Sequence, residues 1–259
     1  MKTLNDILTT QKACILLVGP PGSGKTVLAT QFPKPYLLEC DNNLKGPAQF
    51  IKDNGLSTDL RFDIPHLDAE GKMLPRAMRY KNFAALGNKV MEDPTIETII
   101  VDSLTTLVDY VIDEVRVQQG RKIADGKTVF KDDAMQIQDW GAFAYILKQL
   151  IIAFKSSGKR VIFTAHVETR EDESSESSKT LYRYIACPGQ LRETIAGYFD
   201  EVWHITQEQK TVNGKLANVR FLNTAPSSFR EAPLGLKTAS SGLGIKFELD
   251  FKKLVSLVS

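Results

Sequence analysis

Short apolar runs alternate with longer polar or helix-periodic stretches along this chain, and that alternation predicts a mostly parallel sheet covered by helices on both faces. Five runs read as strands: 14–18 (Cys-Ile-Leu-Leu-Val), 36–40 (Tyr-Leu-Leu-Glu-Cys), 60–64, 97–101 (Glu-Thr-Ile-Ile-Val) and 160–165 (Arg-Val-Ile-Phe-Thr-Ala). A hairpin is expected next, 201–206 with 217–222, its connection carrying the Asn213-Gly214 turn signal. Residues 245–251 alternate apolar and polar side chains and read as a last strand. Ile137, Trp140, Ala144, Leu147, Ile151 and Phe154 recur at spacings of 3, 4, 3, 4 and 3, which predicts a helix over about 134–157 with one stripe against the sheet. Gly158 ends it. A second helix is expected over 104–118, entered after Asp102-Ser103, and a shorter one over Val27–Phe32, stopped by Pro33. Two segments, about 119–132 and 167–181, lack periodicity, and the second contains the acidic, serine-rich run 171–178 that suits a mobile loop. No internal repeat or linker divides the chain, so one domain over 1–259 is expected.

Between the first strand and the short helix stands Gly19-Pro20-Pro21-Gly22-Ser23-Gly24-Lys25-Thr26, which fits G-x-x-x-x-G-K-[ST], the loop that wraps nucleotide phosphates. Glycines let backbone N–H groups turn toward phosphate oxygens with no Cβ in the way. Lys25 adds a mobile positive charge for the β and γ phosphates, and the Thr26 hydroxyl is a hard oxygen ligand for Mg²⁺. The helix that follows would aim the positive end of its dipole at the same place.

Composition changes this picture little. A hydrophobic share of 42%, a charged share of 25% and a net charge of +2 over 259 residues are ordinary for a globular protein, and the net charge neither demands nor excludes nucleic acid. Cys14, Cys40 and Cys187 are far apart, have no metal spacing and read as small core residues in a reducing compartment. No apolar run approaches the ~18 residues of a membrane span, and the first ten residues do not resemble a secretion signal, so a cytoplasmic protein is expected.

Hydrolysis at a phosphate loop needs a second magnesium carboxylate and a group that orients water. Thr98-Ile99-Ile100-Val101-Asp102-Ser103 delivers an aspartate at a strand's C-terminal end, where ligands gather in open α/β sheets. An aspartate there equally suits the N-cap of the next helix. Glu39 and Asp41, two residues apart at the end of the second strand, are candidates to polarise the attacking water. His166 closes the strand 160–165 at the same sheet edge, where it could hydrogen-bond a γ-phosphate and relay its presence to the 167–181 loop.

Taken in order, these motifs resemble the RecA-like recombinase core, and more closely the phage-encoded RecA-like ATP-binding proteins, whose members include single-strand annealing recombination proteins. The points of contact are Leu44-Lys45-Gly46 after Asp41, the strand end Phe163-Thr164-Ala165-His166, and Pro188-Gly189-Gln190-Leu191-Arg192 leading into Gly197-Tyr198-Phe199-Asp200. The resemblance spans about 12–235. It implies a RecA-like P-loop NTPase core with a C-terminal β-hairpin extension, ATP as nucleotide, and Thr26 and Asp102 on Mg²⁺. It places Asp41 at the recombinase catalytic glutamate, one methylene shorter, and His166 where recombinases carry a γ-phosphate-sensing glutamine. It further implies a homo-oligomer in which a neighbour supplies a basic residue, with Arg230 as candidate. A phage origin would put the protein in the host cytoplasm, among single-strand-binding or other recombination proteins.

The two non-periodic segments would then face single-stranded DNA. Residues 116–131 carry Arg116, Arg121, Lys122, Lys127 and Lys131 against Asp125, with Phe130 as a stacking ring. Residues 167–178 are acidic, but 179–184 (Lys-Thr-Leu-Tyr-Arg-Tyr) are basic and aromatic. The leading expectation is an ATPase acting on single-stranded DNA in recombination or annealing. Two others stand beside it: a nucleotide-regulated binding protein with weak hydrolysis, and a small-molecule kinase, for which the acidic loop is a poor lid.

Overall fold

Why the functional groups meet at one edge follows from the strand order. A computed structural model describes residues 12–121, 123, 135–171, 181–212, 215–226, 228–238, 243–251 and 253–254. Its strands are β1 (Cys14–Val18), β2 (Pro35–Glu39), β3 (Arg61–Asp63), β4 (Thr98–Asp102), β5 (Arg160–Ala165), β6 (Val167–Glu171), β7 (Leu181–Ile185), β8 (Glu201–Val212), β9 (Lys215–Asn223) and β10 (Lys246–Glu248). Eight of them form one sheet in the order β10-β9-β8-β1-β5-β4-β2-β3. From β8 to β3 all pairings are parallel, whereas β9 runs antiparallel to β8 and β10 antiparallel to β9. The mostly parallel sheet and the C-terminal hairpin expected from the sequence are both present. The hairpin strands run well beyond 201–206 and 217–222, and the turn at 213–214 lies outside the described residues.

The helices are α1 (Lys25–Ala29), α2 (Lys45–Asp53), α3 (Arg76–Glu92), α4 (Leu104–Gln118), α5 (Asp139–Lys155) and the single turn α6 (Leu191–Thr194). Alternate residues of each central strand feed two apolar clusters, one per face. Leu16, Val101 and Phe163 pack with Phe83, Val111, Leu147 and Phe154 from α3, α4 and α5. Ile15, Ile100 and Ile162 pack with Leu28 of α1, Trp203, and Leu249 and Leu254 near the C-terminus. Because both faces are covered, β1, β4 and β5 are buried at every position. Cys14, Cys40 and Cys187 are buried free thiols, and burial pushes Cys14 and Cys187 up to about 12.

Three expectations need correction. The apolar stripe of α5 does not begin at Ile137, which is 93% exposed and precedes the helix, nor does Trp140 enter the core. The buried set is Phe143, Leu147, Leu150, Ile151 and Phe154. Residues 167–171 are not an irregular loop, since β6 pairs antiparallel with β7 from Val167↔Ile185 to Glu171↔Leu181, and the acidic run 172–178 lies outside the described residues. The last strand shrinks from 245–251 to β10, although Leu249 is buried as its alternation predicts and its amide still donates to the Arg220 carbonyl at 2.8 Å. Two helices had no signal in the pattern. α3 buries only Phe83, Gly87 and Val90, a stripe too narrow to stand out among Arg, Lys and Asn. Gly87 lets it lie close against α5, since a Cβ there would stand 2.9 Å from Phe154 Cζ. α2 buries only Ile51.

Candidate active site

Parallel strands place their C-terminal ends on one edge, and every candidate residue on a strand tip arrives there. β1 hands directly into the loop 19–26, where the Gly19 amide donates to the Ala165 carbonyl at the end of β5 at 3.2 Å. Gly24 has φ +100°, a conformation that side chains rarely adopt, and a Cβ there would stand 3.0 Å from the Phe251 ring. Gly24→Ala is therefore expected to weaken ATP binding at least ~10-fold through backbone strain on the order of 1–2 kcal/mol plus displacement of Phe251. Isothermal titration with ATP would check this.

α1 is little more than one turn long. It ends at Ala29 instead of Phe32, with Gln31 and Phe32 amides closing short turns onto Leu28 and Ala29. So short a helix offers little dipole to an anion, and backbone amides of the loop are the larger source of attraction open to a phosphate there. Lys25 is buried, and its amine donates to the Gly19 and Pro20 carbonyls at 2.9 and 3.0 Å. Burial pushes its pKa down, against the charges of Asp102 and Asp41.

Asp102, at the end of β4, accepts the Thr26 hydroxyl on Oδ2 at 2.6 Å and the Thr164 hydroxyl on Oδ1. It does not cap α4. Ser103 does, accepting the Thr106 amide at 3.3 Å. The aspartate is thus free to face the phosphate loop, and burial pushes its pKa up despite both threonine hydroxyls. The Thr26 hydroxyl and the Asp102 carboxylate form a pair of hard oxygen donors beside a loop in which Gly24 faces the cleft without a Cβ. This set fits a nucleotide polyphosphate with magnesium. No cluster of three or more His, Cys, Asp or Glu side chains among the described residues could hold a metal by itself.

Glu39 stands in register with Asp102 on the neighbouring strand. Its Oε1 accepts the Asp41 and Asn43 amides, each at 3.1 Å. Its Oε2 is buried and has no hydrogen-bond partner, and burial pushes the carboxyl pKa up. Asp41 is held differently, its Oδ1 accepting the hydroxyls of Ser103, at 3.0 Å, and Thr106. Its Oδ2 faces His166 Nε2 at 3.9 Å. His166 is anchored by its own amide, which donates to Thr105 Oγ1 at 3.1 Å, and its Nδ1 is buried without a partner. Burial, then the Lys25 charge, pushes the His166 pKa down, which favours the neutral, hydrogen-bonding imidazole over a charge pair.

Phosphate-loop residues Pro21, Gly22, Gly24, Lys25 and Thr26 line a cleft of about 530 Å³ together with Glu39, Asp41, Asp102 and His166. Gly19, Pro20 and Ser23 complete the loop behind it. Phe50, Arg220 and Phe251 also line the cleft, and sequence reasoning missed all three. They come from α2, β9 and the segment after β10, with no motif around them to give a signal.

Arg230 does not reach this cleft within its own chain. It is exposed on the 3₁₀ turn Phe229–Leu234, its guanidinium 5.9 Å from the Phe229 ring. Phe229 in turn meets Tyr182 of β7 edge-on at 6.0 Å, and the buried Glu231 ties the turn to Arg183 at 2.7 Å. In the other basic segment, Arg116 and Arg121 are ion-paired to Asp113 and Asp139 at 3.2 and 2.7 Å. Lys122, Lys127, Phe130, Lys131 and Lys179 lie outside the described residues. No described helix is long and apolar enough to cross a membrane.

A family model described as AAA domain matches residues 11–232. Among solved structures, the chain is similar to the RadB recombinase, with 13% identity, 89% of each chain covered and a TM-score of 0.45. It is similar to a KaiC-like protein from Pyrococcus horikoshii OT3, with 14% identity, 82% of this chain and 79% of that one covered, and a TM-score of 0.46. The flagellar accessory protein FlaH from Methanocaldococcus jannaschii gives 17% identity over 82% of this chain and 78% of its own, with a TM-score of 0.34. No curated protein matches.

Proposed function

We propose that this chain, which belongs to the AAA domain family, is a magnesium-dependent ATPase that acts on single-stranded DNA as a single RecA-like domain. The observation that carries the ATPase reading is the Thr26–Asp102 contact at 2.6 Å in a cleft that also gathers Lys25, Glu39, Asp41 and His166. Lys25 and the loop amides bind the polyphosphate, and Thr26 and Asp102 hold the metal. Magnesium, when bound, neutralises charge at phosphate oxygens. Glu39 Oε2 is an unpartnered acceptor on a carboxylate with a raised pKa, which favours it as the group that takes a proton from water. This reassigns the role that the family resemblance gives to Asp41. Asp41 instead lies beside His166, which is held by its own amide on Thr105 directly before β6, and His166 passes the state of the cleft to the β6–β7 hairpin.

Support for the DNA part comes from the surface at β7, where exposed Phe229 and Arg230 and half-buried Tyr182 present two rings and a guanidinium beside Arg183. Aromatic side chains of this kind stack on unpaired bases, each worth about 1–3 kcal/mol. Steady-state ATP turnover measured with and without magnesium and with a single-stranded oligonucleotide tests both parts. Turnover should require magnesium and rise with the oligonucleotide, and Phe229→Ala with Tyr182→Ala should remove the rise while leaving basal turnover intact. Turnover that ignores DNA would leave the ATPase and dismiss the DNA partner.

A further inference from the structure

One cation in the cleft has no role in the scheme above. Arg220, on β9, reaches over the phosphate loop and donates from Nε to the Ser23 carbonyl at 3.1 Å. A Cβ at Gly24 would lie 3.4 Å from that nitrogen, so the side chain rests against the loop itself. Its guanidinium is 4.9 Å from the Phe50 ring and 6.0 Å from the Phe251 ring, and these two rings meet edge-on at 5.7 Å. The arrangement fixes the position of a side chain that would otherwise be mobile.

Arg220 differs from most arginines of this chain in its charge environment. Arg76, Arg116, Arg121, Arg170 and Arg183 each meet a carboxylate within 3.5 Å. No carboxylate pairs with Arg220 among the described residues, and burial is the influence resolved on its pKa, which it lowers. A half-buried guanidinium without a counter-charge is costly unless an anion arrives. Its Nε is committed to Ser23, while a guanidinium carries five N–H donors in a planar fork that matches phosphate. Its one hydrogen bond among the described residues is made from Nε, which leaves the terminal nitrogens as the donors available to a ligand in the cleft.

We propose that Arg220 is a phosphate-binding residue of its own chain, a second cation that grips the nucleotide polyphosphate together with Lys25 and from the same subunit. The inference rests on the nucleotide reading of the cleft and extends it: the basic complement of the site is supplied in cis.

Inorganic triphosphate, which carries the charge without base or sugar, is the direct probe. Titration of Arg220→Ala should show binding of triphosphate and of ATP both weakened by about 10- to 100-fold, as expected for loss of charge-assisted hydrogen bonds. Arg220→Lys should recover part of that affinity, and Arg220→Gln, which keeps the stem but not the charge, should not. A purely structural clamp on Ser23 predicts instead that Gln and Lys behave alike, since either can donate to the Ser23 carbonyl, and that outcome would overturn the proposal. Mixing Arg220→Ala with Lys25→Ala protein should restore no turnover, because an arginine acting in cis cannot serve a neighbour's intact loop. Recovery on mixing would overturn the proposal by placing the residue in trans. Wild-type affinity in Arg220→Ala, when Lys25→Ala abolishes binding, would overturn Arg220 alone. A wild-type protein that binds neither triphosphate nor ATP would overturn both this proposal and the reading beneath it.

Discussion

Asp102→Asn should abolish magnesium-dependent ATP turnover, by about 100- to 1,000-fold, while raising the melting temperature of the nucleotide-free protein. The two effects have one source. Asp102 is buried at the end of β4, and burial pushes its pKa up even though Thr26 and Thr164 donate to it. A folded-state pKa above the unfolded value means that the native protein binds the proton more tightly. Stability therefore falls as pH rises from the unfolded value of 3.8 through the raised folded value, above which the cost is complete. Asparagine has no charge to bury, and either threonine can turn its hydroxyl to accept from the new amide. The stabilisation by Asn should vanish below the unfolded pKa and reach its plateau above the folded one. Losing a carboxylate that holds a catalytic cation costs a factor of the size that removal of a single transition-state electrostatic partner does. Thermal melts across pH, set beside turnover at saturating magnesium, check both. A lower melting temperature at neutral pH would mean that the carboxylate's hydrogen bonds outweigh its desolvation.

The second large effect is expected at Glu39. Glu39→Gln should reduce single-turnover hydrolysis by at least ~100-fold, with ATP affinity changed only a few-fold, as loss of a general base does. The substituted amide would keep an oxygen for the Asp41 and Asn43 backbone N–H groups, so the loop after β2 should hold its shape. What disappears is the buried, unpartnered Oε2 and its capacity to take a proton. Asp41→Asn should cost less, since the hydroxyls of Ser103 and Thr106 can still bond to the remaining oxygen. Comparing single-turnover rates with equilibrium binding separates the two residues. A collapse of hydrolysis in Asp41→Asn, with Glu39→Gln left active, would return the role to Asp41.

The legible parts of this protein were those whose signal is local. The strand spans 14–18, 36–40 and 160–165 could be read because residues buried on both faces must be apolar in succession, whatever they pack against. The loop 19–26 could be read because phosphate binding constrains neighbouring residues directly. Helix α3 could not, since a helix that buries a glycine and two side chains leaves almost no period to detect. Nor could the exposure of Ile137, because position on the stripe says nothing of where the helix begins.

Sequence alone determined the phosphate loop, the strands that carry it and the set of strand-tip residues, Glu39, Asp41, Asp102 and His166, that accompany it. Parallel strands deliver their C-terminal ends to one edge, so the order of motifs along the chain already implied their meeting. Tertiary structure alone decided which oxygen faces which partner. Ser103 takes the helix cap and releases Asp102 to Thr26, and Glu39 keeps one oxygen without a partner. It also brought Arg220 to Ser23 across 197 residues of chain, and Phe251 to Gly24 from farther still. The physical reason is that contacts between remote segments depend on how the β8–β9 hairpin and the C-terminal segment fold back across the sheet edge. No periodicity or spacing near those residues encodes that geometry.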